Sequence, residues 1–254
     1  MTLRSAYVTP RGLVVNQDRG LVTQAIGAMV LPLYSGHGIL DVAVIIGAWS
    51  SVHTDQGDAK VGPWNEFDFF ANLKLTFLKK LDVGAAYVVF VSPPGNFQSE
   101  HNLEFTLSFD DSSYLHGFGL HPYAKFFWAV AGDSTVVLGQ KGGTMDVELG
   151  LGPSYTVKLG KSPRYPLALS APIWLTVGPE SFWGTTQNLG VFVAGLNFSL
   201  GLGFIPRRFG SWHLVGGIQD YYLINDNLVA AATALGNSDS RNRVMGYGGF
   251  GFNY

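Results

Sequence analysis

Apolar and polar residues alternate one by one along 144–159. The odd positions carry Met145, Val147, Leu149, Leu151, Pro153, Tyr155, Val157 and Leu159, and the even positions Thr144, Asp146, Glu148, Gly150, Gly152, Ser154, Thr156 and Lys158. Side chains of a strand point to opposite faces in turn, so this period predicts one apolar and one polar face. Strands of soluble sheets usually run about 5–6 residues. Alternation over sixteen positions is the reach of a tilted barrel strand with protruding ends. The pattern returns at 65–77, where Phe67, Phe69, Ala71, Leu73, Leu75 and Phe77 oppose Glu66, Asp68, Phe70, Asn72, Lys74 and Thr76. It returns at 102–109, with Leu103, Phe105, Leu107 and Phe109 against Asn102, Glu104, Thr106 and Ser108, and again at 188–204. Less regular strands are predicted at about 2–9, 20–34, 38–53, 81–92, 114–131, 164–177, 211–224 and 243–254. These make twelve, and single-chain membrane barrels have even strand numbers. The expected fold is all-β: a closed antiparallel transmembrane β-barrel of about 12 strands, with 1–254 as its single domain.

The connections predict an orientation. Those at 34–38, 78–82, 110–114, 159–165 and 204–211 are short, and those at 9–20, 53–64, 92–100, 131–144, 178–188 and 224–243 are longer and more polar. Short periplasmic turns and longer external loops are the asymmetry of outer-membrane barrels. The outward residues at the predicted periplasmic strand ends are Tyr34, Phe77, Phe109, Tyr114, Tyr165, Phe204, Trp212 and Tyr254. All are aromatic, as an interfacial belt requires. Pro122, Pro153, Pro166 and Pro172 fall inside predicted strands, where each removes a ladder donor and predicts irregular pairing.

Composition agrees with a lipid-facing barrel. Hydrophobic residues make up 47% and charged residues 13%, yet no apolar run is long enough for a membrane helix. The net charge of −2 implies no field-driven affinity for nucleic acid. The absence of cysteine removes disulfides, thiolate metal sites and cysteine nucleophiles. Arg4 and Arg11 flank no apolar segment of a signal peptide, so the sequence is expected to be a mature form to which Met1 was added.

The last strand ends Gly249-Phe250-Gly251-Phe252-Asn253-Tyr254. It resembles the C-terminal insertion signal of bacterial outer-membrane proteins, although that signal usually ends in Phe. The resemblance implies handling by the barrel-assembly machinery. Tyr7-Val8, Arg11-Gly12-Leu13, Gln24, Gly47-Ala48-Trp49-Ser50, Asn65-Glu66-Phe67-Asp68 and Asp82-Val83-Gly84 cover the first 110 residues or so. Together they resemble TorF-type porins, which implies a small-solute channel and carries over no catalytic residue.

The polar partners of the apolar face should line the lumen. Glu66, Asp68, Glu104, Asp146 and Glu148 fall near its outer end on one wall, with Lys125 and His121 between them and Lys74 and Lys158 lower down. These nine are the candidate pore-lining residues. One expectation is an acidic vestibule that concentrates cations. The other is a network of struts, with Lys125 paired to Glu104 or Glu148, inside a filled barrel. No arginine is predicted mid-strand on the lumen face, which disfavours acidic oligosaccharides as solutes. Apolar residues on both faces of 20–34, and Ile39 and Ile45 facing inward, predict an apolar patch on the inner wall. It would pack against an inserted loop or take the apolar part of a ligand.

Hydrolytic barrels need Ser, His and Asn or an acid–His rim. His53 follows Ser50 and Ser51, but the spacing names no base for a serine. His121 and His213 without carboxylates at ligand spacing are weak metal evidence. The expectation is therefore a non-enzymatic outer-membrane channel for small polar or cationic solutes, with no cofactor and no metal. The alternative is a non-conducting structural barrel that anchors envelope partners. Bilayer lipid and lipopolysaccharide would cover its outside in either case.

Overall fold

The computed structural model describes residues 1–36, 38–55, 63–95, 97–132, 142–159 and 165–254, with Asp18 and Lys158 as backbone only. The chain is 64% strand and 7% helix, against about 20–25% strand in an average domain, so pairing dominates. The strands are β1 (Thr2–Val8), β2 (Val14–Ser35), β3 (Leu40–His53), β4 (Trp64–Phe77), β5 (Leu81–Val91), β6 (Glu100–Phe109) and β7 (Tyr123–Ala131). They continue as β8 (Thr144–Leu151), β9 (Ser154–Lys158), β10 (Pro166–Ser170), β11 (Ile173–Val177), β12 (Leu189–Gly201), β13 (Ser211–Leu223) and β14 (Asn242–Asn253). Among the described residues, two short α-helices, α1 (Glu180–Trp183) and α2 (Asp226–Ala234), and a 3-10 turn at Arg207–Phe209 lie in connections.

These fourteen segments form twelve staves of a closed antiparallel barrel. Each neighbour in sequence pairs with the next, and β1 closes on β14 with Leu3 opposite Gly248. The surplus segments come from prolines. Pro153 splits one stave into β8 and β9, and Pro172 splits its neighbour into β10 and β11. Main-chain bonds bridge both breaks: the N–H of Ala171 donates to the carbonyl of Pro153 and that of Gly195 to Pro172. A missing donor thus bends the stave without opening the wall.

The period-2 faces appear as predicted. Phe69, Phe105, Leu107, Leu149, Leu196, Ile218 and Phe250 point outward and are exposed, while their neighbours in sequence point into the lumen. The eight aromatic residues named above all lie at the end of the barrel that carries the termini, the turn end. Phe109 stacks on Tyr114, and the Trp212 ring meets Phe252 at a tilt of 48°. Among the described residues no helix is long and apolar enough to cross a membrane.

The strict alternation of short and long connections fails in two places. The connection after β1 is only 9–13, because β2 begins at Val14 and not near Gly20. The connection after β6 runs over 110–122, because β7 begins at Tyr123 and not near Tyr114. Positive φ at His116 and His121 and the turns at 111–117 break the extended chain there. Parts of the predicted connections at 53–64, 131–144 and 159–165 lie outside the described residues, including Lys161 and Arg164.

The buried core sits at the loop end, against β1 and β11–β14. Trp183 and Phe182 of α1, Leu228 and Ala232 of α2, and Val8, Val14, Val191, Leu223 and Met245 of the staves pack together there. Gly190 makes this possible: a Cβ on it would meet the Trp183 ring at 2.1 Å. Asn225 ties the two helical connections together. Its side chain caps α2 by accepting from the N–H of Asn227 at 3.0 Å, and its Nδ2 donates to the carbonyl of Gln187 at 3.0 Å.

Candidate functional site

The site is a lumen cavity of about 690 Å³ below this cap. Its two sides differ in chemistry. On the β4–β8 side, inward positions carry Glu66, Asp68, Glu104 and Glu148; on the β1–β3 side they carry Arg4, Tyr7, Ile26, Ile45 and Trp49. Strand register sets the rows. Trp49 lies opposite Asp68, Asp68 opposite Phe90, and Phe90 opposite Glu100. Two inward rows further toward the turn end, Glu104 is followed by Phe127 and Asp146, and the row after that runs from Thr106 through Lys125 to Glu148. In the Asp68 and Glu104 rows carboxylates alternate with rings.

The connection 9–13 folds into the barrel and delivers Arg11 to this wall. Gly12, at φ +96, allows the reversal, and a Cβ there would meet Val191 at 2.9 Å. Trp174 Nε1 donates to the carbonyl of Pro10 at 3.1 Å and holds the tip. The Arg11 guanidinium lies 3.3 Å from Asp146, 4.0 Å from Glu104 and 4.1 Å from the Phe127 ring centroid. The angle at Nε is too poor for a hydrogen bond, so the contact with Asp146 is an ion pair. Lys125 Nζ pairs with Glu148 at 3.4 Å, one of the two partners predicted for it. The Tyr7 hydroxyl donates to Glu66 at 2.6 Å. Asp68 has no ion-pair partner among the described residues, and its Oδ1 accepts no hydrogen bond.

Five of the nine sequence-predicted lining residues thus share one region: Glu66, Asp68, Glu104, Lys125 and Glu148 line the cavity. Asp146 is buried behind Arg11. Lys74 lies lower on β4, paired with Asp82 at 2.9 Å. The side chain of Lys158 lies outside the described residues. His121 does not reach the cavity. It stands in the turn before β7, 2.9 Å from Ser154 Oγ and 3.6 Å from Asp110. With Asp110 and Asp111 it forms a group whose ligand atoms lie within 4.8 Å of one another. Asp111 Oδ1 already accepts the N–H groups of Leu120 and His121, and hydrogen bonds from Ser112 hold the Asp110 carboxyl below its usual range, so the group braces the turn.

Sequence reasoning missed the arginines. Arg4 lines the cavity from β1 over the Tyr247 ring, Arg11 enters through its loop, and Arg243 is buried on β14. A signal for Arg11 was present: apolar Tyr7-Val8 and Leu13-Val14 flank a tip too apolar for an external loop. Sequence spacing also named no partner for His53, yet its Nε2 lies 3.1 Å from Ser51 Oγ and its Nδ1 3.5 Å from Asn16 Nδ2. All three residues are buried, and together they tie β2 to β3.

No protein-family model matches the sequence, and no curated protein is similar to it by sequence. The closed twelve-stranded barrel with an apolar outside and a carboxylate-lined cavity is what characterises this chain.

Proposed function

We propose that the chain is a bacterial outer-membrane channel through which small polar or cationic solutes diffuse passively. The observation that carries this is the one-sided cavity: acidic residues of β4, β6 and β8 line a lumen inside a barrel whose outer face is apolar. An apolar band with aromatic residues at one rim suits a bilayer and lipopolysaccharide, and the terminal Phe250-Gly251-Phe252-Asn253-Tyr254 suits the barrel-assembly machinery. Carboxylates in a narrow lumen with low-dielectric walls raise the local cation concentration and repel anions. No bond chemistry is assigned. The likeness of the first part of the chain to TorF-type porins points the same way.

Planar-bilayer recording tests the proposal. The expected outcome is an ohmic, cation-preferring conductance whose preference falls in Glu104→Gln and Asp68→Asn. A bilayer that stays sealed at all voltages overturns it. A second reading, a non-conducting barrel that anchors envelope partners, is favoured by one observation: the packed cap of α1, α2 and the 9–13 tip over part of the loop-end mouth. Lipid or peptide hydrolysis abolished by His53→Ala would support an enzyme instead.

A further inference from the structure

We propose that the cavity is a binding site for one chemical class, a protonated organic amine with an apolar body, and that Asp68 takes its ammonium group. This deepens the channel proposal by naming the solute class, but binding does not depend on conduction.

The argument starts from what Asp68 lacks. The other carboxylates of the wall have partners. Arg11 neutralises Asp146 and approaches Glu104, Lys125 pairs with Glu148, and Tyr7 donates to Glu66. Asp68 is only 9% exposed, lines the cavity, and has an Oδ1 that accepts nothing. A buried carboxylate left without a partner is costly, and a ligand cation recovers that cost. Gln24, also buried and lining the cavity, leaves Nε2 without an acceptor, which an oxygen on the ligand would supply.

The surroundings select an organic cation over a metal ion. Asp68 is flanked in register by Trp49, whose ring meets that of Tyr7 at 5.6 Å, and by Phe90, whose ring lies 5.9 Å from Arg11. Aromatic faces beside a carboxylate attract an alkylammonium through the ring quadrupole and offer a hydrated metal ion no oxygen ligands. The neighbouring wall is apolar and open to the lumen: Ile26 and Ile45 line the cavity, and Ile26 is exposed. These belong to the inner apolar patch predicted from the sequence, whereas Ile39 lies in the turn before β3 and does not reach the cavity. An ammonium on Asp68 places a hydrocarbon body along Ile26, Ile45 and Phe70. The volume of about 690 Å³ lies within the 300–1,000 Å³ usual for small-molecule sites. Arg4, the cation on the β1 side, is occupied by the Tyr247 ring and lies three strands away from Asp68.

The test uses the full chain folded in detergent micelles, titrated with benzylamine and with its neutral analogue benzyl alcohol, read by tryptophan fluorescence and calorimetry. Benzylamine is expected to saturate one site and to bind at least about tenfold tighter than benzyl alcohol, since a charge-assisted hydrogen bond is lost in the alcohol. Asp68→Asn should erase that preference while leaving benzyl alcohol unchanged. Asp82→Asn, at the turn end and outside the cavity lining, should keep the preference. Heat-shifted gel mobility verifies that each variant is a closed barrel. Equal affinity for the two compounds, an unchanged preference in Asp68→Asn, or no saturation by benzylamine overturns the proposal. Amine binding with a sealed bilayer would sink the channel and keep the site. Conductance without amine preference would do the reverse.

Discussion

At the loop end, Arg11 meets Asp146 and Glu104 out of water; at the turn end, Lys74 meets Asp82 half in it. The first pair is closed over by Phe127, Phe90 and the 9–13 tip, and the Asp146 side chain has 0% exposure. The second has side-chain exposures of 39% and 33% and shares Asp82 with the hydroxyl of Thr76. The chemistry is the same, but the solvent differs. A charge inside a packed site has no water to return to when its partner is lost, whereas a half-exposed one does. The loop end therefore stores most of the molecule's polar risk, and it also holds the one dry apolar core among the described residues.

The largest effect that can break this comparison is the loss of Arg11. Arg11→Met should destabilise the barrel by about 3–5 kcal/mol, because it strands Asp146 beside Glu104. Urea unfolding followed by gel mobility measures it, and adding Asp146→Asn should recover part of the loss. If Arg11→Met is neutral, the ion pair is not what holds the tip.

The apolar side of the same end comes next. Leu228 on the inner face of α2 is fully buried, so Leu228→Ala should cost about 3 kcal/mol through lost transfer energy and a cavity. Fluorescence of Trp183, in the same cluster, should report the loosened cap before the barrel unfolds.

The third prediction leaves both ends for the outer wall. Leu196 is 66% exposed in the middle of β12, opposite Ile218. If lipid covers that wall, Leu196→Arg should lower folding stability in vesicles by about 2 kcal/mol while hardly changing it in a large, water-rich micelle. An equal effect in both would mean that the apolar wall faces something other than a bilayer.

The smallest effect belongs to the turn end. Lys74→Met should change stability by about 0.5 kcal/mol or less, and the change should shrink in high salt. A loss as large as that of Arg11→Met would erase the distinction between the two ends.

Much of this architecture was legible in the sequence because period-2 alternation is a local property. The faces of β4, β6, β8 and β12, the count of twelve staves and the aromatic rim follow from it, and the irregular pairing at Pro153 and Pro172 from the missing proline donor. The acidic wall was legible too, since once the lipid face is assigned, Glu66, Asp68, Glu104 and Glu148 must point the other way. What alternation cannot see is a segment that leaves the wall. The 9–13 tip, α1 and α2 have no strand period, and their positions depend on partners far away in sequence: Pro10 on Trp174, Trp183 on Asn227 and Asn237 on Val14.

The cavity reflects this division. Sequence alone determined which carboxylates share a wall. Only the tertiary structure decided which of them are paired, because Arg11 arrives through an inserted connection and chooses Asp146 and Glu104. By that same choice Asp68 is left without an ion-pair partner among the described residues. The physical reason is reach: side-chain direction is set residue by residue along a strand, but neutralisation of a buried charge is set by whichever group folds in beside it.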